Sequence, residues 1–443
     1  MWELSLVSAK TLAVVYLVTA GLVVVALRAP LRDRRRWGWT IGAAVAGAAV
    51  GAATSWWLGD VHEVVDVPPT WVDRVWVSAL GAAIAALAVA AVKGGAGRRV
   101  LAGVAAVCVV LAAGLAINRD AGLFPTVGAV AGRSTVPPLE VPAAQTAAAA
   151  ADPASPPAGD LPSWSTWRAP ADMPERGRLG SVDVPGTTSG FPARPALVWL
   201  PPAALTDDPP ALPVVVLLSG QGPGASPENL VEAGQVTQVL DGLAAANDGL
   251  APVVVMPDQL ARPTNNPMCV DGPLGDSATY LTVDVPRWIR GTLNVLPPGG
   301  GWAIGGFSQG GTCSAQLAAA HPELFASLVD VAGQLGPELT GGVERTIRLG
   351  FDGDRAAWEA AQPVALLAAG APYPGSGAFF AVGAEDGRYG PAADTLADAA
   401  RRAGMVVELE KVPGSAHDWQ TARTGLADGL AWFQERSGLA AAG

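Results

Sequence analysis

Trp302-Ala303-Ile304-Gly305-Gly306-Phe307-Ser308-Gln309-Gly310-Gly311, continued by an Ala-rich run to His321, is the stretch on which the fold turns. A short apolar run ends in Gly-Phe-Ser-Gln-Gly, and a helix-like run follows at once. That is the strand, sharp turn and helix of a nucleophile elbow. The turn forces the Ser backbone into a strained conformation, so small residues must flank it. Gly306 and Gly310, two before and two after Ser308, let strand and helix approach each other. The Ser oxygen is then held clear of the sheet, near a helix N-terminus whose N–H groups point at a developing oxyanion.

The pattern alone is weak. Glycine is 54 of 443 residues, so about 0.3 chance occurrences of G-x-S-x-G are expected. Context strengthens it, because a strand precedes, a helix follows, and an acid and then a His come later in the required order. His417 sits in Pro413-Gly414-Ser415-Ala416-His417-Asp418-Trp419, a predicted loop between the last strand and the last helix. It is the expected general base, taking the proton from Ser308 and returning it to the leaving group. Of the other two histidines, His321 ends the elbow helix, one helix length past Ser308, and is read as structural; His62 is read as a solvated loop residue. Gly383-Ala384-Glu385-Asp386-Gly387 offers two carboxylates after a strand ending at Val382. Asp386, where the chain turns beside a Gly, is preferred as the acid, with Glu385 and then Asp330 as alternatives. Gln309, the residue after the nucleophile, is expected to supply one oxyanion N–H. The loop Ser219-Gly220-Gln221-Gly222-Pro223-Gly224 is expected to supply the other, from Gln221 with Gly220 or Gly222 close behind.

Around the elbow, Arg178–Val184, Ala196–Leu200, Pro213–Leu218, Pro252–Pro257, Trp302–Phe307, Phe325–Val331, Gly377–Val382 and Met405–Val412 read as strands. Helices are predicted near Val236–Ala246, Thr279–Leu293, Ala392–Ala403 and Trp419–Glu435. Strands alternating with helices mean a mostly parallel sheet covered on both faces. With the elbow near the middle, this is an α/β-hydrolase fold. The Gln334–Ala369 insertion lies where a lid would be placed.

The composition requires something more. Half the residues are hydrophobic and only 15% are charged, against about 25% in soluble domains. The surplus sits in four apolar runs, about Leu4–Leu27, Thr40–Leu58, Val75–Val92 and Val100–Ile117. Each is near the ~20 residues that cross a bilayer as a helix, so an all-α bundle of four transmembrane helices is expected. Arg28, Arg32, Arg34, Arg35 and Arg36 follow the first run, and Lys93, Arg98 and Arg99 separate the last two. Between the second and third runs lie Asp60, Glu63 and Asp66, with no cation until Arg74. The positive-inside rule places the two basic loops in the cytoplasm and everything after Ile117 outside. Trp37, Trp39, Trp56, Trp57 and Trp71 sit at run ends, as interfacial anchors do. Gly38/Gly42 and Gly47/Gly51 have the spacing that brings helices close, and Asp73 and Arg74, flanking the third run, are a candidate ion pair at its outer end.

The expected division is therefore 1–117, a four-span membrane domain; 118–174, a Pro/Ala-rich linker marked by Pro153, Pro156, Pro157 and Pro162 and carrying Trp164 and Trp167; 175–437, the hydrolase domain; and 438–443, a tail. A net charge of −11 argues against nucleic acid as a partner. No zinc-type Cys/His cluster occurs, and no metal or cofactor is expected. If the domain faces an oxidising compartment, Cys269 and Cys313 are expected to form a disulfide, while Cys108 lies in a span.

From about Pro213 to Trp432 the chain resembles the esterase-D-like α/β-hydrolases, and among them the mycolyltransferases of mycobacteria. The resemblance rests on Leu217-Leu218-Ser219-Gly220-Gln221, Tyr280-Leu281-Thr282-Val283-Asp284-Val285-Pro286-Arg287-Trp288, Gly306-Phe307-Ser308-Gln309-Gly310, His321-Pro322 and His417-Asp418-Trp419. It implies Ser308 as nucleophile, His417 as base, and Gln221 and Gln309 as oxyanion donors. Ser219 stands where the mycolyltransferases carry the Asp of an Asp-Gly-Leu loop, and no Arg follows until Arg262. The residues that serve sugar binding there thus have no counterpart here. The expected function is a membrane-anchored extracytoplasmic serine esterase acting on lipid or cell-envelope acyl esters. The alternatives are an acyltransferase that passes the acyl group to a sugar or lipid hydroxyl, and a non-catalytic envelope scaffold on the same fold.

Overall fold

In the computed structural model the described residues are all except 1, 3, 29–33, 62–68, 93–94, 122–123, 125, 132–133, 135, 152–164, 223–224 and 442–443. Arg32, His62, Glu63, Asp66, Lys93, Pro153, Pro156, Pro157, Pro162, Trp164, Pro223 and Gly224 therefore lie outside the described residues. The chain forms two compact units, Met1–Thr135 and Val136–Gly443.

The first unit is helical. Helices α1 (Ala9–Leu27), α2 (Arg34–Trp56), α3 (Trp71–Val92) and α4 (Ala96–Ala121) follow the four apolar runs, and all four are long and apolar enough to cross a membrane. The Ser8 hydroxyl caps α1 by accepting from the Thr11 N–H, so the helix starts at Ala9, later than the apolar run. Helix α3 packs against α2 and α4, and α1 packs against α4. The α2–α3 seam is a glycine contact. A Cβ on Gly47 would sit 2.2 Å from the Gly81 carbonyl oxygen, and one on Gly51 would sit 2.5 Å from that of Val77. Gly38 and Gly42 face open space instead. Of the two small-residue pairs in the sequence, only the second brings backbones together. Arg74 forms its hydrogen-bonded ion pair with Asp60 and not with its neighbour Asp73. Its guanidinium grips both Asp60 oxygens, at 2.9 and 2.8 Å, while Asp73 accepts from the Thr70 N–H.

The second unit is built on one eight-stranded sheet in the order β1-β2-β4-β3-β5-β6-β7-β8. The strands are β1 (Arg178–Val182), β2 (Ala196–Leu200), β3 (Val214–Leu218), β4 (Val253–Met256), β5 (Gly299–Phe307), β6 (Phe325–Val331), β7 (Gly377–Gly383) and β8 (Val406–Val412). Strand β2 runs antiparallel to β1 and β4, and the remaining neighbours are parallel. Strands β3 and β4 are apolar and buried at every position because both faces are covered. In β3, Val214, Val216 and Leu218 enter one core and Val215 and Leu217 the other, the period-2 alternation of a strand. Edge strand β8 carries Glu408, Glu410 and Lys411, charges that suit an exposed rim.

Crossing from β4 over β3 to β5 places the elbow near the middle of the sheet. The Gln309–Ala320 helix that leaves β5 is buried at every position but its last, held between the sheet and the Pro363–Gly370 helix. The predicted Thr279–Leu293 helix is interrupted. A wide π-turn over Tyr280–Asp284 precedes a helix over Val285–Thr292, because Pro286 has no N–H with which to continue the α ladder.

Residues 136–151 of the expected linker pack with this second unit. Leu139 N–H donates to the Ser181 carbonyl. The Ala143–Ala151 helix carries a buried Gln145, whose Nε2 donates to the Ala204 carbonyl while its Oε1 accepts from the Asn294 N–H. Trp167 Nε1 donates to the Asp248 carbonyl. The Gln334–Ala369 insertion folds largely into helices over Val343–Gly350, Arg355–Ala360 and Pro363–Gly370.

Candidate active site

Ser308 stands at the end of β5 with φ +58° and ψ −118°. A non-glycine residue there is strained, and the neighbouring backbone holds it in place. Its N–H donates to the Val331 carbonyl at 2.8 Å. The flanking glycines are obligatory. A Cβ on Gly306 would come within 2.5 Å of the Leu218 carbonyl oxygen, and one on Gly310 within 2.3 Å of the same atom. Strand β3, strand β5 and the elbow helix meet too closely for any side chain at either position.

His417 lies on the loop after β8. Its Nε2 is 2.9 Å from Ser308 Oγ, and its Nδ1 is 3.3 Å from Asp386 Oδ2. The ring is gripped from the side by Phe307, with centroids 5.1 Å apart and stacked, and by Tyr389 at 4.4 Å. The loop beneath it is braced by Asp418, which caps the Trp419–Arg436 helix. Asp418 Oδ1 accepts from the Ser415 hydroxyl and from the N–H groups of Gln420 and Thr421, and Oδ2 accepts from the Ala416 N–H. Burial pushes that carboxyl up, but these four donors outweigh it and hold it below its ordinary value.

Of the three candidate acids, Asp386 is the one beside His417. Its other oxygen accepts from the backbone N–H groups of Arg388 and Tyr389, at 3.1 and 2.8 Å. Burial raises its pKa, yet the hydrogen bond from His417, the backbone donors and the charge of the imidazole bring it below the usual carboxylate value. Glu385 is exposed. Asp330 is fully buried at the end of β6, accepts from the Gly333 N–H at 2.9 Å, and packs where Gly311 and Gly333 leave room for it. Burial, only partly offset by that one bond, pushes its carboxyl up to about 7.

Gln309 opens the elbow helix, and Gln221 lies in the loop after β3 beside Gly222, whose φ is +120°. A Cβ on Gly220 would lie 3.5 Å from Ser308 Cβ, so the loop passes directly over Ser308. Cys269 and Cys313 are joined in a disulfide that ties the 265–271 loop to the elbow helix. His321 ends that helix and pairs with Glu323 at 3.0 Å, one helix length from Ser308. Sequence reading assigns no role to Tyr389, whose ring packs on His417, or to Gln259 and Asn266, which meet the site through tertiary contacts. Among the described residues no group of His, Cys, Asp and Glu has the arrangement of a metal site.

The arrangement is that of a hydroxyl, an imidazole and a carboxylate in series beside a helix N-terminus, on a sheet of α/β-hydrolase topology. The Esterase family model matches residues 193–433, and the chain belongs to that family. An uncharacterised protein of Corynebacterium glutamicum is 36% identical over 277 residues. That match covers 60% of this chain and 64% of the relative, a little under two thirds of its length. A ferulic acid esterase of known structure is 18% identical and aligns over 60% of this chain and 100% of its own, with a TM-score of 0.50, a likeness of fold. The structure of MPT51 from Mycobacterium tuberculosis is 21% identical over 58% of this chain and 97% of its own, with a TM-score of 0.43.

Proposed function

We propose that the chain is a membrane-anchored serine esterase whose residues 175–437 act on acyl esters outside the cytoplasm. The observation that carries this reading is the 2.9 Å contact of His417 Nε2 with Ser308 Oγ, at a serine whose backbone is held in a strained turn. Nε2 takes the hydroxyl proton as Ser308 Oγ attacks the ester carbonyl. Asp386 holds the imidazole with its Nδ1–H toward the carboxylate and stabilises the imidazolium that forms. The carbonyl oxygen, now an oxyanion, accepts from the N–H groups of Gln309 and Gln221. His417 passes its proton to the departing alcohol oxygen, leaving an acyl-enzyme. Water, deprotonated by the same imidazole, then releases the acid and restores Ser308.

Anchoring is supported by the surface of helices α1–α4. Leu17 is 75% exposed, Val24 66%, Val100 67% and Val107 60%, a degree of apolar exposure that suits lipid and not water. Trp37, Trp39, Trp56, Trp57 and Trp71, all at helix ends, are also exposed, as expected of anchors at a membrane interface. The cations Arg28, Arg34, Arg35 and Arg36, and Lys93, Arg98 and Arg99, would lie inside. A tethered site meets lipid or envelope esters at raised local concentration, so these are the proposed substrates. The order of mycolyltransferase-like motifs favours a second reading, in which a sugar or lipid hydroxyl replaces water at the acyl-enzyme. Product analysis with such acceptors separates the two. The test of the main reading is Ser308→Ala, which should abolish hydrolysis of a short acyl ester; activity retained by that variant would overturn it.

A further inference from the structure

We propose that Asn266, together with Gln259, is a positioning residue that locks the two oxyanion donors in register across separate pieces of chain. The inference deepens the serine-esterase reading and rests on it. An oxyanion hole works only if its donors are fixed before charge develops. Here one donor, Gln309, opens the elbow helix. The other, Gln221, lies between Gly220 and Gly222. Those glycines let the loop pass over Ser308, and they also give it backbone freedom that something else must remove.

A closed chain of amides does so. Gln259, fully buried, donates from Nε2 to the Ser219 carbonyl at 2.6 Å and to Gln309 Oε1 at 2.9 Å. Gln309 Nε2 donates to Asn266 Oδ1 at 3.1 Å. Asn266 Nδ2 donates to Gln221 Oε1. The circuit runs 219–259–309–266–221 and returns to the loop it started from, so both ends of the oxyanion loop are referred to the side chain of the residue that follows the nucleophile. Asn266 is itself fixed. Its Oδ1 also accepts from the Met268 N–H at 2.9 Å, and Met268 and Cys269 are held at φ +59° and +52°. Cys269 is bonded to Cys313 in the elbow helix, and Gln309 Nε2 lies 3.1 Å from that sulfur. The chain joins two buried amides, Gln259 and Gln309, to two half-buried ones, Asn266 and Gln221; Gln259 Oε1 is left without a partner, but each of the links named is made, and such links restrict the groups they join. The disulfide thus anchors the segment that carries Asn266, and Asn266 passes that anchorage to Gln221. Removing the Gln221 side chain leaves its backbone N–H in place, so the tether and the donor can be separated.

The test uses the full chain in detergent, with a short acyl ester as substrate and a trifluoromethyl ketone as a probe that forms an oxyanion adduct. Asn266→Ala and Gln221→Ala should each lower kcat by about 10- to 100-fold with KM held within about threefold, and weaken the ketone by a similar factor. The double variant should be no worse than about threefold below the poorer single one, because both break the same link. Asn266→Asp, which keeps the acceptor and loses the donor, should behave as Asn266→Ala. Multiplicative losses in the double variant, a change confined to KM, or unaltered kcat would overturn the inference. If Asn266→Ala does not fold, Gln221→Ala with Asn266→Asp carries the same comparison. Fluorophosphonate labelling of wild type at Ser308 separates the two levels. Label with unimpaired variants sinks the tether alone, and no label sinks the esterase reading and the tether with it.

Discussion

Asp386 and Asp330 are both buried carboxylates within reach of the elbow, and their surroundings push them in opposite directions. Asp386 has two backbone donors and an imidazole, so burial does not prevail and its pKa is lowered. Asp386→Asn should therefore keep the fold and lose about 10⁴ in kcat, since an amide cannot stabilise the imidazolium or fix its tautomer. Glu385→Gln, on an exposed side chain, should leave kcat within about twofold. A comparable loss in Glu385→Gln and none in Asp386→Asn would reverse the assignment. Asp330 has one donor and a raised pKa of about 7. The unfolded value is about 3.9, so between these two the folded chain holds a proton that the unfolded chain has released. Stability from this group is complete below about pH 4, declines as pH rises toward 7, and is level above that. Asp330→Asn should lose less Tm than wild type between pH 4.5 and pH 7.5. Parallel declines in the two proteins would show that Asp330 does not titrate in this way.

At the scale of elements, the strands and the elbow were legible because they are short apolar runs bounded by Gly and Pro. Ala196–Leu200 and Phe325–Val331 were read residue for residue, and Ser308, His417 and Asp386, proposed from chain order, are brought together. Other features depend on contacts that no local pattern encodes. The Ala143–Ala151 helix lies in an Ala run that also reads as spacer, and it is held to its unit by Gln145, which is buried against residues far along the chain. The helices of the Gln334–Ala369 insertion are short, the longest being eight residues, and periodicity is faint at that length. Gln259 and Asn266 reach the site across 40 to 50 positions. Two predictions belong here. Gly310→Ala should prevent correct assembly of the elbow, because its Cβ would overlap the Leu218 carbonyl at 2.3 Å and backbone cannot yield as a side chain can. Recovery of soluble, active protein at wild-type levels would contradict this. Replacing Cys269 and Cys313 by Ala should lower stability by about 2–4 kcal/mol, read as a lower Tm under non-reducing conditions. No difference from wild type would mean the bridge is absent or inert.

For the whole molecule, the decisive asymmetry is between a unit with charged edges around a buried sheet and a unit whose helices expose valine and leucine. Their composition separates them in sequence, and the proposed topology is argued from the charge bias of the segments between the apolar runs. The proposed topology is checked by cysteine substitution at exposed positions. Glu359→Cys should react with a membrane-impermeant maleimide in intact cells, and Arg99→Cys only after permeabilisation; the opposite pattern would place the catalytic unit in the cytoplasm. The central claim is that one hydroxyl is made nucleophilic by His417. Labelling the full chain with a fluorophosphonate probe and mapping the modified peptide tests it most directly. The account predicts a single adduct on Ser308 in wild type and none in Ser308→Ala, whereas an unlabelled wild-type chain, or an adduct on any other serine, would contradict it.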